Sequence, residues 1–144
     1  MSILYHEIKV VSSPSQIWTA LTTRQGLISW WPDEVSISGG DSWCLSNSAM
    51  PAPMIMKVVE DIPDKALEWL CIQGPEEWQN TLIHWRLESQ GQKQRLILEH
   101  RDLRFAPDQL ASLNTFWGVT VERLRLSMAS EINPNDEVDL GAWT

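Results

Sequence analysis

Apolar residues recur along this chain in two rhythms, and the breaks between them predict its elements. Residues 3–11 alternate, placing Leu4, Ile8 and Val10 on one face with His6 among them, as a strand requires. Ser13-Pro14-Ser15-Gln16 then reads as a helix start. Ser13 caps, Pro14 suits the first helical position, and Gln16 completes a capping box. Ile17, Trp18 and Leu21 follow at helical spacing to an end near Thr22 or Thr23, and residues 24–30 add a further turn or two before Trp30-Trp31-Pro32.

From there the period changes to two. Val35 and Ile37 alternate with serines, Gly39-Gly40-Asp41 forms a hairpin turn, and Trp43 and Leu45 continue on the return strand. Pro51-Ala52-Pro53 interrupts before a strand over 54–61. Pro63-Asp64-Lys65 turns the chain into a strand over 66–72, and Gly74-Pro75-Glu76-Glu77 is a loop. Strands over 81–88 and 94–103 flank the turn Ser89-Gln90-Gly91-Gln92. Pro107 and Asp108 then open a long helix whose Leu110, Leu113, Trp117, Val121, Leu124 and Met128 form one apolar stripe, stopped by Asn133-Pro134-Asn135. The expected fold class is α+β. A curved antiparallel sheet of about seven strands grips the C-terminal helix, with two short helices after the first strand. One domain over residues 1–132 and an acidic polar tail over 133–144 are expected.

Composition sharpens this picture in one respect. The 144 residues include nine tryptophans beside two phenylalanines and one tyrosine. Tryptophan is bulky and seldom wholly buried, so nine of them favour a cavity, groove or interface over a plain core. Surplus exposed tryptophan would also suit a homodimer. The formal charge of −8 gives no basic surface for nucleic acid or anionic membranes, and no apolar run is long enough to span a bilayer. Cys44 and Cys71 lie far apart outside any redox motif, which fits reduced thiols in a cytoplasmic protein.

Several stretches resemble the SRPBCC superfamily of START-like, helix-grip domains, and within it the AHSA1 group, relatives of the C-terminal domain of an Hsp90 ATPase activator. Residues 14–31, with Trp18, Leu21 and the Trp30-Trp31 pair, resemble that family's opening. Residues 58–69 resemble its central hairpin, and residues 80–100 the next hairpin, ending at His100. Trp117, Val121 and Leu124 match the pattern of its last helix. Phe116 stands where the family often has glycine, and Gln94 or Arg95 where a threonine is usual. These are packing patterns, so the resemblance implies a fold and a hydrophobic ligand-binding cavity, with no catalytic set.

Alternation selects the residues that would line such a cavity. Trp43, Met54, Met56, Trp69, Ile83, Trp85 and Leu98 face inward from the strands, opposite Trp117, Val121 and Leu124 of the helix. His100 ends one inward face, where it would orient a ligand's oxygen or simply satisfy a neighbour, and Trp30 and Trp31 would form a lid or pack the short helices onto the sheet. A solid core is the competing reading of the same residues. Three scattered histidines without cysteine partners make poor metal ligands, neither cysteine has a histidine at recognisable spacing, and no motif requires a cofactor. The leading expectation is therefore a non-catalytic domain for a small apolar or aromatic molecule. The resemblance implies two alternatives. One is an interaction role like that of the Hsp90 activator, though this chain has no residues to spare for that protein's additional N-terminal domain. The other is a cavity enzyme of cyclase, isomerase or hydrolase type that uses His100.

Overall fold

Each rhythm becomes the element it predicts. The computed structural model describes residues 2–47 and 52–129. Strand β1 (Ser2–Val10) leads into helices α1 (Pro14–Thr22) and α2 (Arg24–Ile28). Six strands follow, β2 (Val35–Ile37), β3 (Ser42–Leu45), β4 (Met54–Ile62), β5 (Ala66–Gln73), β6 (Leu82–Gln90) and β7 (Lys93–Leu103), and then helix α3 (Pro107–Ala129). The loop expected at 74–77 carries a 3-10 turn, Glu76–Trp78. The predicted helix stop at Asn133-Pro134-Asn135, the tail over 133–144 and Pro51 lie outside the described residues.

The strands form one antiparallel sheet in the order β1-β7-β6-β5-β4-β3-β2. Hairpin connections dictate that order for β2 to β7, and β7 ends beside β1. The predicted capping box forms at α1. Ser13 Oγ accepts from the Gln16 N–H at 3.2 Å, and Gln16 Oε1 accepts from the Ser13 N–H at 3.0 Å. The two short helices then meet at Gly26, where a Cβ would lie 2.1 Å from the Thr19 carbonyl oxygen. No larger residue fits that crossing without displacing the backbone.

A tight final turn and a bulge in β4 shape the sheet. The β6–β7 ladder runs on to the pair Gln90–Lys93, so the expected four-residue turn shrinks to Gly91 and Gln92. Gly91 adopts φ of 66°, as a two-residue hairpin turn demands, and the Ser89 hydroxyl meets Gln94 Oε1 at 2.7 Å beneath it. In β4 the register shifts between Val58 and Glu60, leaving Val59 as an extra residue. Strict alternation from Met54, Met56 and Val58 would turn Glu60 inward. The bulge instead sets Asp61 opposite Leu67, on the inner face.

That inner face collects the expected sets. Met54, Met56, Leu67, Trp69, Cys71, Ile83, Trp85, Leu87, Leu96 and Leu98 are buried, and against them lie Leu113, Trp117, Val121 and Leu124 of α3. The outer face is a charged lattice. His84 meets Glu68 at 3.3 Å, Arg95 bridges Glu7 at 2.6 Å and Glu88 at 2.7 Å, and Arg101 contacts Glu99 at 2.7 Å. Each such pair adds little stability at a surface, where water screens it. Together they guard the register, because a one-residue slip would drive these charges into the core.

Candidate functional site

The space between sheet and helix is occupied by indoles packed edge to face. Trp85 stands at the centre, with ring centroids 5.6 Å from Trp69, 5.8 Å from Trp30 and 6.2 Å from Trp117. Trp31 contacts Trp30 at 6.0 Å and Trp117 at 6.3 Å in the same way, whereas Trp78 lies tilted against Trp117, at 6.1 Å and 42°. The edge-to-face pairs set the positive edge of one ring on the negative face of the next, a preference of about 0.5–1.5 kcal/mol per pair beyond area burial. Trp30 and Trp31, expected either to form a lid or to pack the short helices onto the sheet, lie on an inner wall. Trp30 and Trp31 are 0% and 2% exposed, and their N–H groups donate to the carbonyls of Ala20 and Ser46, each at 2.8 Å. A buried indole N–H needs such an acceptor, and these two tie the short helices and the end of β3 to the core.

His100 is the one imidazole within this cluster, and its chemistry is fixed by its neighbours. The Trp117 indole can only donate, and its Nε1 lies 3.0 Å from His100 Nδ1, so Nδ1 is the acceptor. Nε2 then carries the proton and donates to Thr81 Oγ1 at 2.9 Å, whose own hydroxyl donates to the Trp78 carbonyl at 2.6 Å. Burial pushes the His100 pKa down to about 3, so the ring is neutral at any ordinary pH. Both nitrogens are engaged and the residue is 0% exposed. The geometry matches the satisfied core histidine, not a group that orients a ligand or shuttles a proton. His6, on the same face of β1, packs against Gly118 of α3, and burial lowers its pKa as well.

Open space lies to one side of the cluster. A cleft of about 400 Å³ sits between the end of α1 and the β2–β5 half of the sheet. Leu21, Val58 and Leu67 with Trp43 and Trp69 make its apolar wall, and Asp41 and Asp61 bring carboxylates to it. Asp61 is held by the Trp18 indole, which donates to Oδ1 at 2.8 Å, and Asp41 accepts from the Ser42 hydroxyl at 3.1 Å. Trp69 is wholly buried, yet its Nε1 meets no acceptor among the described residues, and the same holds for Trp85. A second recess, of about 380 Å³, lies between the 3-10 turn and α3, against Trp78, Phe105 and Phe116. None of the described side chains lining it has a buried polar atom without a partner.

Of the residues selected from the sequence, Trp43 and Trp69 reach the cleft. Met54, Met56, Ile83, Trp85, Leu98, His100, Trp117, Val121 and Leu124 pack the interior beside it. Sequence reasoning missed Asp61, because the bulge at Val59 that turns it inward leaves no mark in a run of apolar residues. It also missed Trp78, which arrives through a 3-10 turn without periodicity. Among the described residues no group of three or more His, Cys, Asp or Glu is placed to hold a metal ion.

A sheet wrapped on a long helix in this order is shared with solved structures. The solution structure of the Aha1 dimer from Colwellia psychrerythraea matches with a TM-score of 0.80 at 28% identity, covering 92% of this chain and 100% of that one. The chain has an AHSA1-like, SRPBCC helix-grip fold. The crystal structure of protein MLL2253 from Mesorhizobium loti shares this helix-grip fold at a TM-score of 0.71 and 18% identity, covering 92% of this chain and 100% of that one. So does CalU16 from Micromonospora echinospora, at 0.65 and 16%, covering 90% and 78%. No family model and no curated protein matches the chain.

Proposed function

We propose that this AHSA1-like domain is a non-catalytic binder of a small apolar or aromatic molecule, which it holds in the Trp43–Trp69 cleft. The observation that carries the reading is the cleft itself. In a fold whose interior is otherwise packed by indoles, it joins an aliphatic and aromatic wall to a few polar groups, as ligand sites do. The unpartnered Trp69 N–H beside it supports the same reading, because a buried donor without an acceptor costs about 1–3 kcal/mol that a ligand oxygen would recover. His100 supplies no acid or base to a reaction, which weighs against a cavity enzyme built on it. Titration of tryptophan fluorescence with a panel of flat hydrophobic compounds tests the proposal. Saturable shifts that Trp43→Ala abolishes are expected. A panel that moves neither emission nor melting temperature, with no small molecule co-purifying in native mass spectrometry, would end it.

A homodimer is the assembly favoured by the likeness to the Colwellia protein, whose solution structure is a dimer. Ile3, Tyr5 and Val11 lie exposed at or near the edge strand β1 and offer an apolar surface to a second copy. Sedimentation velocity across a dilution series decides it, a concentration-independent monomer being the adverse result.

A further inference from the structure

The cleft carries more chemical information than its apolar wall. Asp41 comes to it from the β2–β3 turn and Asp61 from the far end of β4, and the Asp41 carbonyl accepts from the Val58 N–H at 2.8 Å, fixing the turn against β4. Thr22 and Ser42 add hydroxyls, and no Lys or Arg is among the described residues that line it. Two carboxylates beside two indoles, with no Lys or Arg among the described lining residues, form a negative and aromatic surface. Indole faces attract cations through their quadrupole, so the aromatic and acidic parts of the wall favour the same charge. Asp61 is also pre-positioned: the bulge at Val59 turns it inward, and the Trp18 indole holds it there. The second feature pointing to a ligand is Trp69, wholly buried at the cleft wall with an N–H that meets no acceptor.

The geometry points to a cationic occupant, an amine protonated at neutral pH and borne on a flat apolar body that also carries an oxygen acceptor. Its ring lies against Trp43 and Trp69, its ammonium faces Asp41 and Asp61, and its oxygen takes the Trp69 N–H. This inference rests on the binding function proposed above and narrows its ligand class.

Three matched probes separate the two ideas: para-methoxyphenethylamine, the corresponding neutral alcohol, and the corresponding phenylacetate. Isothermal titration with the full chain should show the amine binding about tenfold more tightly than the alcohol, with the acid weakest. Asp41→Asn and Asp61→Asn keep the hydrogen bonds from Ser42 and Trp18 while removing the charge. Each should weaken the amine about threefold and leave the alcohol unchanged, and high salt should erode the amine's advantage. An alcohol that binds as tightly as the amine, or aspartate variants that bind the amine as wild type does, overturns the cationic class and leaves the binding function standing. If none of the three binds, the cationic class falls, and the binding function falls with it only when the wider hydrophobic panel is also silent.

Discussion

A neutral imidazole in a tryptophan core is held by what it accepts and donates, and His100 is satisfied on both sides, by Trp117 and Thr81. Its charged form has no place there. The pKa is about 3 in the folded chain and 6.5 in an unconstrained one, so the unfolded state takes up a proton first as the solution is acidified. The stability contributed by the neutral ring is therefore complete above pH 6.5 and is lost as pH falls from there toward 3. At pH 5 the loss amounts to about 2 kcal/mol. His6, whose pKa is also lowered by burial, adds to the same slope. Urea unfolding at pH 7.5 and pH 5 measures the difference, and His100→Asn, less stable throughout but unable to titrate, should flatten most of it. Equal pH slopes in both proteins would refute the assignment. The inward direction of His100 and Trp117 was legible from alternation and helical spacing. The bonding of His100 to Thr81 and Trp117 was not, since it depends on how the strands and a helix meet across the fold.

Among elements, local chemistry determined the boundaries wherever a residue type acts alone. Ser13, Pro14 and Gln16 start α1 as their sequence requires, and Gly91 sets the final hairpin. Close approach between elements was not visible in the same way. Gly26 lies in a run that reads as ordinary helix, yet its missing Cβ lets α2 cross the Thr19–Ala20 backbone of α1. Alanine normally favours a helix over glycine by about 1 kcal/mol. Here the added carbon meets backbone, which cannot rotate away, so Gly26→Ala is expected to destabilise by about 1–3 kcal/mol, the range for overpacking. Thermal melting monitored by far-ultraviolet circular dichroism reads the sign directly, and a rise in melting temperature would show that the crossing can relax. The same limit explains Val59. Two adjacent valines look like continuous strand, and only the pairing of β4 with β5 shows which one is extra.

Across the whole molecule, sheet order sets where the chain holds and where it opens. β5, β6 and β7 are each paired on both sides and pack against the tryptophan cluster, whereas β2 is three residues long and, among the described strands, is bonded only to β3. Opening of the β2–β3 end exposes few apolar contacts, so it should require much less free energy than global unfolding. Hydrogen exchange followed by mass spectrometry is expected to find slowest exchange in peptides from β5 to β7 and fastest, among the strands, in β2. This gradient bears on function because the cleft is walled partly by that labile end, through Asp41, Ser42 and Trp43. A ligand there must hold the β2–β3 hairpin against β4 and α1, and a molecule that binds only the closed form adds RT ln(1 + [L]/Kd) to its stability. At a ligand concentration about 100-fold above Kd that is about 2.7 kcal/mol, enough to slow exchange in β2 and β3 by roughly 100-fold while the central strands change little. Uniform protection of the whole sheet would instead indicate a ligand that stabilises only against global unfolding. Protection confined to the 3-10 turn and α3 would move the binding site to the recess beside Trp78.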